Sequence, residues 1–369
     1  MTYLDNAATT QVCSEALEAF ERAAEETFGN PSSLHSAGFA AERTVDEARK
    51  TLASVLGGAP EELVFTPGGT FSDNLAVLGG SRRNCRIGKH IVTTQIEHDA
   101  VLNAAAALEK EGFEVTRVAP GPDGRVRAED VLSAVRSDTV LVSVMLANNE
   151  LGTVQPVAEI AGELKRRKSR ALLHTDAVQA FCKIPFSVKS LGADLVAVSG
   201  HKVHAPKGVG ALWVRKGVKL SPITYGGGQE KGLAPGTEPV PLIAAFGAAV
   251  AARDKSGRAV KLKEYALSLL ERIDGLKVIS RGDTGVCMVS LPGFRSETLL
   301  HRLSAEQIYV SSGSACGRGK PSHVLKALGL EAKTLDGALR ISFSAYNTEE
   351  DAVRLASALE RAAGELAHA

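Results

Sequence analysis

The feature that most constrains the fold is a series of seven short apolar runs that alternate with helix-like stretches or turns. The runs are ELVFT (62–66), KHIVTT (89–94), EVTRVA (114–119), TVLVSVML (139–146), ALLHTDA (171–177), DLVAVS (194–199) and GALWVR (210–215). Strands that alternate with Ala- and Leu-rich helices are typical of a parallel sheet covered by helices. We therefore predict an α/β fold whose large domain contains a mainly parallel, seven-stranded sheet covered by helices.

The pattern changes in the last third of the chain. A long amphipathic helix is predicted at about 242–272, and short strands and helices follow it up to a polar C-terminal helix. This mixture predicts a smaller α+β domain. We assign residues 15–250 to the large domain, and residues 1–14 with 251–369 to the small one.

Composition excludes several classes of function. Of the 369 residues, 44% are apolar, which is enough to fill a sizeable core, and the net charge is only +1. Such a balance lacks the basic surface that a nucleic-acid binder needs. The N-terminal MTYLDNAATT has no basic stretch followed by an apolar one, and no run approaches the roughly 18 apolar residues of a membrane span. We expect a cytoplasmic protein that binds neither membranes nor nucleic acid directly.

The five cysteines are Cys13, Cys85, Cys182, Cys287 and Cys316. They are scattered, odd in number and never in a CxxC or Cys/His cluster, so neither disulfides nor a metal site is predicted. Most cysteines in such settings are small buried side chains. Cys316 differs, because SSGSACGRGKP surrounds it with glycines and serines that can neither bury it in a core nor hold it in one conformation.

Lys202 and Asp176 are candidates for cofactor chemistry. Lys202 follows the strand DLVAVS, so it emerges at the carboxyl end of a sheet strand, where α/β folds bind ligands. A lysine there is usually a surface residue, but a rigid strand end also suits an amine that forms a Schiff base. Asp176 ends an apolar strand and is either a helix N-cap or the partner of a protonated pyridine nitrogen.

Two further junctions between strand and helix complete this candidate site. FTPGGTFSDNLAV brings backbone N–H groups and the Thr70 hydroxyl to a helix start, which suits a phosphate. TQIEHDAVLNAA places His98 at another such junction, where an imidazole can stack on a ring or move protons. Taken together, Lys202, Asp176 and the phosphate turn predict pyridoxal 5'-phosphate as the cofactor.

The sequence resembles the cysteine desulfurases, which are class V, fold-type I pyridoxal phosphate enzymes. The resemblance runs nearly end to end. It is carried by YLDNAATT, FGNPSSLH, VFTPGGTFSDNLA, EHDAVL, LANNELGTVQP, HTDAVQ, SGHKVHAPKGVGAL, YGGGQEKG, PGTE, SSGSAC and LRISFS. Two departures are Phe71, where relatives generally carry an acidic residue, and Ala234, where an arginine is usual.

The resemblance implies a role for each matching residue. Lys202 would bind the cofactor covalently, Asp176 its pyridine nitrogen and Gln179 its ring oxygen, while His98 would stack on the ring and transfer protons. The phosphate would be held by Gly69, Thr70, Ser199 and His201, joined by Thr237 from the second subunit of a homodimer. The substrate carboxylate would be held by Asn149 and Arg340, with Asn30 nearby.

The implied reaction converts L-cysteine to L-alanine. The Cys316 thiolate would take the sulfur as a persulfide and pass it to an acceptor, such as a scaffold protein for iron–sulfur clusters or a tRNA-thiolation relay. Two alternatives remain open at this stage. One is selenocysteine lyase, or another class V lyase or transaminase. The other is a non-catalytic scaffold that binds a partner.

Overall fold

The computed structural model describes residues 1–312 and 322–367. After a short strand, β1 (Thr2–Tyr3), seven strands build the large sheet. They are β2 (Leu63–Thr66), β3 (His90–Thr94), β4 (Glu114–Val118), β5 (Thr139–Ser143), β6 (Leu172–Asp176), β7 (Leu195–Ser199) and β8 (Gly210–Val214). Their order is β2-β8-β7-β6-β5-β3-β4, with β8 antiparallel to both neighbours and the remaining pairs parallel. The predicted mainly parallel sheet is confirmed.

Helices cover this sheet, and its central strands are buried on both faces. All five residues of β3, β5 and β7 are buried. The covering helices are α1 (Ser14–Glu26), α2 (Ser36–Leu56), α3 (Gly69–Asn74), α4 (Gly80–Asn84), α5 (Asp99–Lys110), α6 (Ala128–Ser133), α7 (Val157–Arg166), α8 (Val188–Leu191) and α9 (Val240–Ala251). A wider π-helical turn, Leu75–Gly79, joins α3 to α4. Shorter helical turns lie at Pro60–Glu62, Gly200–Lys202 and Gln229–Gly232.

A second, antiparallel sheet follows in the chain. It contains β9 (Lys277–Ser280), β10 (Val286–Ser290), β12 (Ser311–Ser312) and β13 (Ala338–Ser342) in the order β12-β13-β10-β9, while β11 (Ile308–Tyr309) pairs with β1. Its helices are α10 (Arg258–Leu270), α11 (Ser296–Ala305), α12 (His323–Ala327), α13 (Ala332–Asp336) and α14 (Glu349–Ala367). Leu4 packs into the separate apolar cluster of this part, with Leu267, Val289 and Ile341. The domain boundaries given above stay predictions.

The single helix predicted at 242–272 is wrong. The chain leaves the helical path between α9 and α10, at residues 252–257. There the Asp254 carboxylate accepts hydrogen bonds from the backbone N–H groups of Ser256 (3.0 Å) and Arg258 (3.2 Å), and Gly257 has a φ of 69°. A side chain that bonds nearby backbone in this way competes with helix formation.

Strand direction brings the chemistry to one edge of the large sheet. Because β8 is antiparallel to β2 and β7, those two strands run the same way as β3, β5 and β6. Their carboxyl ends therefore meet at a single edge, where Gly210 of β8 pairs with both Thr66 and Ser199. We call this the carboxyl edge; ligands of open α/β sheets bind at such an edge. Among the helices of the described ranges, none has the length and apolar character needed to span a membrane.

A substitution at Gly210 can test how tightly the carboxyl edge is packed. A Cβ at this position would lie 2.8 Å from backbone atoms of Gly68 and from Val198 O. Gly210→Ala should therefore lower the free energy of unfolding by about 1–3 kcal/mol, measured by urea denaturation. Gly162→Ala is the matched control, since that glycine lies inside α7 with open space around it. The control should be neutral or more stable by up to about 1 kcal/mol. Equal stability of Gly210→Ala and wild type would contradict the packing described.

Candidate active site

A cavity of about 1130 Å³ opens at the carboxyl edge. Ten of the residues predicted for the site line it: Gly69, Thr70, His98, Asn149, Asp176, Gln179, Ser199, His201, Lys202 and Arg340. Arg340 belongs to β13 of the second sheet, whereas the other nine belong to turns and strand ends of the large sheet. The cavity therefore lies between the two sheets.

Three predicted residues are not among those that line the cavity. Asn30 is exposed, and its side-chain oxygen accepts a hydrogen bond from the Ser32 N–H (2.9 Å). Thr237 is exposed as well, and its predicted action across a subunit interface stays a prediction. Cys316 lies outside the described residues.

The Lys202 amine is held at a defined point beyond β7. Lys202 closes the short helical turn Gly200–Lys202, and its Nζ donates hydrogen bonds to the carbonyl oxygens of Ala7 and Ala8, both at 2.7 Å. Lys202 is partly buried, which removes some of the water that competes for an amine. These are the conditions that a lysine needs in order to act as a nucleophile.

Asp176 is a buried carboxylate at the end of β6, with 6% of its surface exposed. Its Oδ1 accepts a hydrogen bond from the Val178 N–H (2.8 Å) in a turn, so it does not cap a helix. Burial raises the pKa of Asp176, and the hydrogen bond from the Val178 N–H and the positive charge of Lys202 act against that rise. The carboxylate therefore lies where a further cation would stabilise its charge.

The turn after β2 forms a cradle with free donors. Gly69 begins α3, and a Cβ there would lie 2.9 Å from Val178 Cγ2, so only glycine fits without displacement. The nearby Ser199 hydroxyl is buried and has no hydrogen-bond partner among the described residues. A buried hydroxyl of this kind is rare unless a ligand completes its hydrogen bonds. Backbone N–H groups at a helix start together with a hydroxyl suit a phosphate.

His98 has a defined ring orientation. It precedes α5, and its Nδ1 accepts a hydrogen bond from the Ala100 N–H (3.1 Å). In the neutral ring the proton therefore resides on Nε2. This arrangement leaves Nε2 as the nitrogen that is available for proton transfer.

The sequence analysis did not predict a group of buried polar residues close to Asp176. Glu97 Oε1 accepts hydrogen bonds from Thr94 Oγ1 (2.8 Å) and the Met145 N–H (3.0 Å), and burial raises the Glu97 pKa to about 8. Burial and repulsion from Asp176 and Glu97 raise the pKa of Asp73 well above its ordinary range. Burial therefore disfavours the charged form of both groups.

His174 belongs to the same buried group. Its Nδ1 is 2.8 Å from Ser143 Oγ and its Nε2 is 3.5 Å from Asp73 Oδ1, while burial lowers the pKa of the ring to about 3. The imidazole is therefore neutral. The sequence could have indicated that His174 lies near the site. His174 and Asp176 are two positions apart on one strand, so their side chains share a face of the sheet.

Arg340 and Glu150 also line the cavity. The Arg340 guanidinium is 3% exposed and donates to Asp5 Oδ1 (2.9 Å) and to the Asn149 carbonyl (3.1 Å). Its Nε has no hydrogen-bond partner within the described ranges, and neither has the side-chain oxygen of Asn149. The Arg340 Nε–H is a donor that can bind a carboxylate, whereas the Asn149 oxygen can only accept a hydrogen bond from a donor on a ligand. Within residues 1–312 and 322–367, no group of three or more His, Cys, Asp or Glu side chains is arranged to hold a metal ion.

Comparison with known proteins identifies the family. The sequence-family model named aminotransferase class-V matches residues 2–355 of this chain. The chain therefore belongs to the class-V aminotransferase family.

The curated relatives belong to one group within that family. The chain is 42% identical to a cysteine desulfurase IscS of Methanosarcina thermophila, over 96% of this chain and 89% of the relative. It is 43% identical to a putative cysteine desulfurase IscS 1 of Bacillus subtilis, over 94% of each. These matches confirm the resemblance predicted from the motifs.

Solved structures agree with this assignment. A NifS-like protein superposes with a TM-score of 0.92 at 37% identity and covers 98% of both chains. The structure of SspA in complex with cysteine superposes with a TM-score of 0.85 at 35% identity, covering 94% of this chain and 100% of that one. The predicted fold class is confirmed.

Glu150 gives the site a measurable dependence on pH. It is 6% exposed and accepts a hydrogen bond from Ser322 Oγ (2.5 Å), and burial raises its pKa from 4.5 to about 7. A raised folded pKa means that Glu150 ionisation destabilises the fold progressively as pH rises from about 4.5 to 7. From pH 5 to 8, the stability of Glu150→Gln relative to wild type should therefore increase by roughly 2–3 kcal/mol.

Thermal unfolding of both proteins across this range measures the effect. Glu159→Gln is the control, because Glu159 is exposed on α7 and the same change there should show no such trend. A stability difference between Glu150→Gln and wild type that is flat from pH 5 to 8 would show that the Glu150 carboxyl is not desolvated.

Proposed function

We propose that this protein is a pyridoxal phosphate-dependent cysteine desulfurase that converts L-cysteine to L-alanine and transfers the sulfur to Cys316. The observation that carries the proposal is the convergence of Lys202, Asp176 and the Ser199 hydroxyl on one cavity. An amine, a buried carboxylate and a phosphate cradle at the ends of neighbouring strands match the three polar parts of this cofactor. The similarity to proteins named cysteine desulfurase supports the choice of substrate.

The residues of the cavity fit the cofactor chemically. Ser199 Oγ, His201, Thr70 and the Gly69 N–H would hold the phosphate, Asp176 the pyridine nitrogen, and Gln179 the ring oxygen, with Lys202 as the covalent attachment. Two observations support this fit. The Ser199 hydroxyl has no hydrogen-bond partner among the described residues, and a side chain larger than that of glycine would not fit at position 69 without displacing a neighbour. When bound, pyridoxal phosphate supplies an electron sink for a carbanion at the substrate Cα.

The chain supplies the groups that bind substrate and move protons. Arg340 and Asn149 would bind the carboxylate of L-cysteine, because a planar guanidinium matches a carboxylate at two points. Asp5 already accepts a hydrogen bond from Arg340, so substrate competes with an ion pair inside the protein. His98 Nε2 and Lys202 Nζ would carry the protons that leave and return to substrate carbon atoms.

Sulfur transfer needs a second nucleophile, and we assign it to Cys316. Its thiolate attacks the substrate sulfur, a S–S bond forms, and the electron pair of the broken C–S bond stays on carbon, which takes up a proton to give alanine. We further propose that Arg318 and Lys320, which follow Cys316 closely in the sequence, would favour the thiolate by their charge. The persulfide would pass to an acceptor protein, such as an iron–sulfur scaffold. We further propose a cytoplasmic homodimer in which Thr237 completes the phosphate site of the other subunit.

Loss of Lys202 should abolish covalent cofactor binding. Protein loaded with pyridoxal phosphate should be yellow, and Lys202→Ala should lose the visible absorption band because no amine remains to attach the cofactor. Lys216→Ala, at an exposed position, is the control and should stay yellow. A colourless wild-type protein that cannot be loaded would refute the proposal.

Loss of Cys316 should abolish sulfur transfer. Cys316→Ser should reduce alanine formation from L-cysteine by at least about 100-fold, since a hydroxyl is a poor replacement for a thiolate. Mass spectrometry after turnover should find one added sulfur atom on Cys316 in the wild type. Cys85→Ser, at an exposed cysteine, should keep full activity. Unchanged activity of Cys316→Ser would exclude Cys316 as the acceptor of sulfur.

A further inference from the structure

Lys183 lies between the active-site cavity and a second cavity. The second cavity, of about 630 Å³, is lined by Lys183 and Lys202 among others. Lys183 Nζ is 2.6 Å from Oε1 of Gln179, and Gln179 lines the active-site cavity. Lys183 is not itself among the residues that line the active-site cavity, so it contacts that site through Gln179.

The hydrogen bonds of Gln179 determine which way its amide faces. At one end of the amide, Oε1 accepts a hydrogen bond from Lys183 Nζ. At the other end, Nε2 donates to the Ala7 carbonyl oxygen (2.8 Å), which can only accept. Ala7 O also accepts a hydrogen bond from Lys202 Nζ (2.7 Å). The Gln179 NH2 group and the Lys202 amine therefore converge on one oxygen atom.

We propose that Lys183 is a positioning residue, which holds Oε1 of Gln179 and so directs the amide N–H donors toward the ring oxygen of the cofactor. The proposal rests on the proposed function, because it needs bound pyridoxal phosphate. Without the Lys183 contact, only the hydrogen bond from Nε2 to the Ala7 carbonyl oxygen restrains the amide. The N–H donors would then be held less firmly toward the ring oxygen.

The charge on Lys183 is consistent with this role. Burial, together with the positive charges of Lys202 and Arg340, lowers the Lys183 pKa to about 7. A neutral amine still has two N–H donors, so donation to Gln179 persists when the proton is lost. The chain therefore keeps a cation-forming group in an unfavourable position, where an apolar side chain would cost less to bury.

The test follows the visible absorption band of the protein loaded with pyridoxal phosphate as the pH is changed. The quantity measured is the midpoint, which is the pH at which half of the absorption change has occurred. Loss of an N–H donor makes the ring oxygen more basic, so Lys183→Met should raise the midpoint by about one pH unit. It should also weaken pyridoxal phosphate binding by about 2- to 10-fold. Lys183→Arg keeps N–H donors and has room in the second cavity, so it should restore most of the wild-type midpoint. Lys189→Met, an exposed lysine on α8, is the matched control and should behave as wild type.

A double variant decides whether Lys183 acts through Gln179. Gln179→Met should raise the midpoint in the same way, and Lys183→Met combined with it should add no further shift. Lys183→Leu should give the same shift as Lys183→Met and serves if the latter does not fold, as judged by thermal unfolding.

The outcomes separate the two proposals. Failure of the wild type to take up pyridoxal phosphate would refute the proposed function. A loaded wild type with an unchanged midpoint in the Lys183 variants, or with shifts that add in the double variant, would refute the role of Lys183 alone.

Discussion

The carbonyl oxygen of Ala7 accepts hydrogen bonds from Lys202 and from Gln179, and the site depends on where this oxygen lies. Buried backbone groups need partners, so the N-terminal segment, residues 4–10, is held from both sides. The Ala7 N–H donates to Ser342 Oγ in β13 (2.9 Å), and the Thr10 N–H donates to the His201 carbonyl beside β7 (3.0 Å). The segment thus connects the second sheet to the carboxyl edge. A displacement of either sheet would move the oxygen that positions the Lys202 amine.

The buried carboxyl groups at the cavity differ in how strongly their surroundings favour the charged form, and burial explains the difference. Asp73, Glu97 and Asp176 are all buried carboxyl groups, yet of these three only Asp176 has a cation, Lys202, that acts to lower its pKa. An unpaired buried carboxylate is costly, so burial disfavours the charged form of the other two groups. Among these three groups, the fold therefore favours negative charge most at Asp176. Two buried acids and the neutral His174 reduce stability at this point, and such costs are typical of functional sites.

The parts of this protein that the sequence predicts are those that depend on local pattern. Seven apolar runs became the seven strands of one sheet, and strand ends placed Lys202 and Asp176 at one edge, because parallel strands share a direction. The break between α9 and α10 escaped prediction because apolar residues continue on both sides of it, while one side chain, Asp254, ends the helical path. Lys183 and Asp73 were missed for a different reason. Their roles arise from partners that lie elsewhere in the fold, and no periodicity marks them.

The departures from the family pattern at Phe71 and Ala234 are compatible with each other. Both side chains pack against the same apolar cluster, which contains Leu75, Leu195 and Leu212. Relative to an acidic residue at 71 and an arginine at 234, the two changes remove one charge of each sign, so the local net charge is unchanged. Packing of apolar side chains does not require charged groups to lose their water. It can therefore stabilise the fold at such a position at least as well as an ion pair. Phe71 lies in the first turn of α3, two residues after Gly69. The cradle proposed for phosphate is therefore anchored to the sheet by apolar packing, and its donors Gly69 and Thr70 are retained.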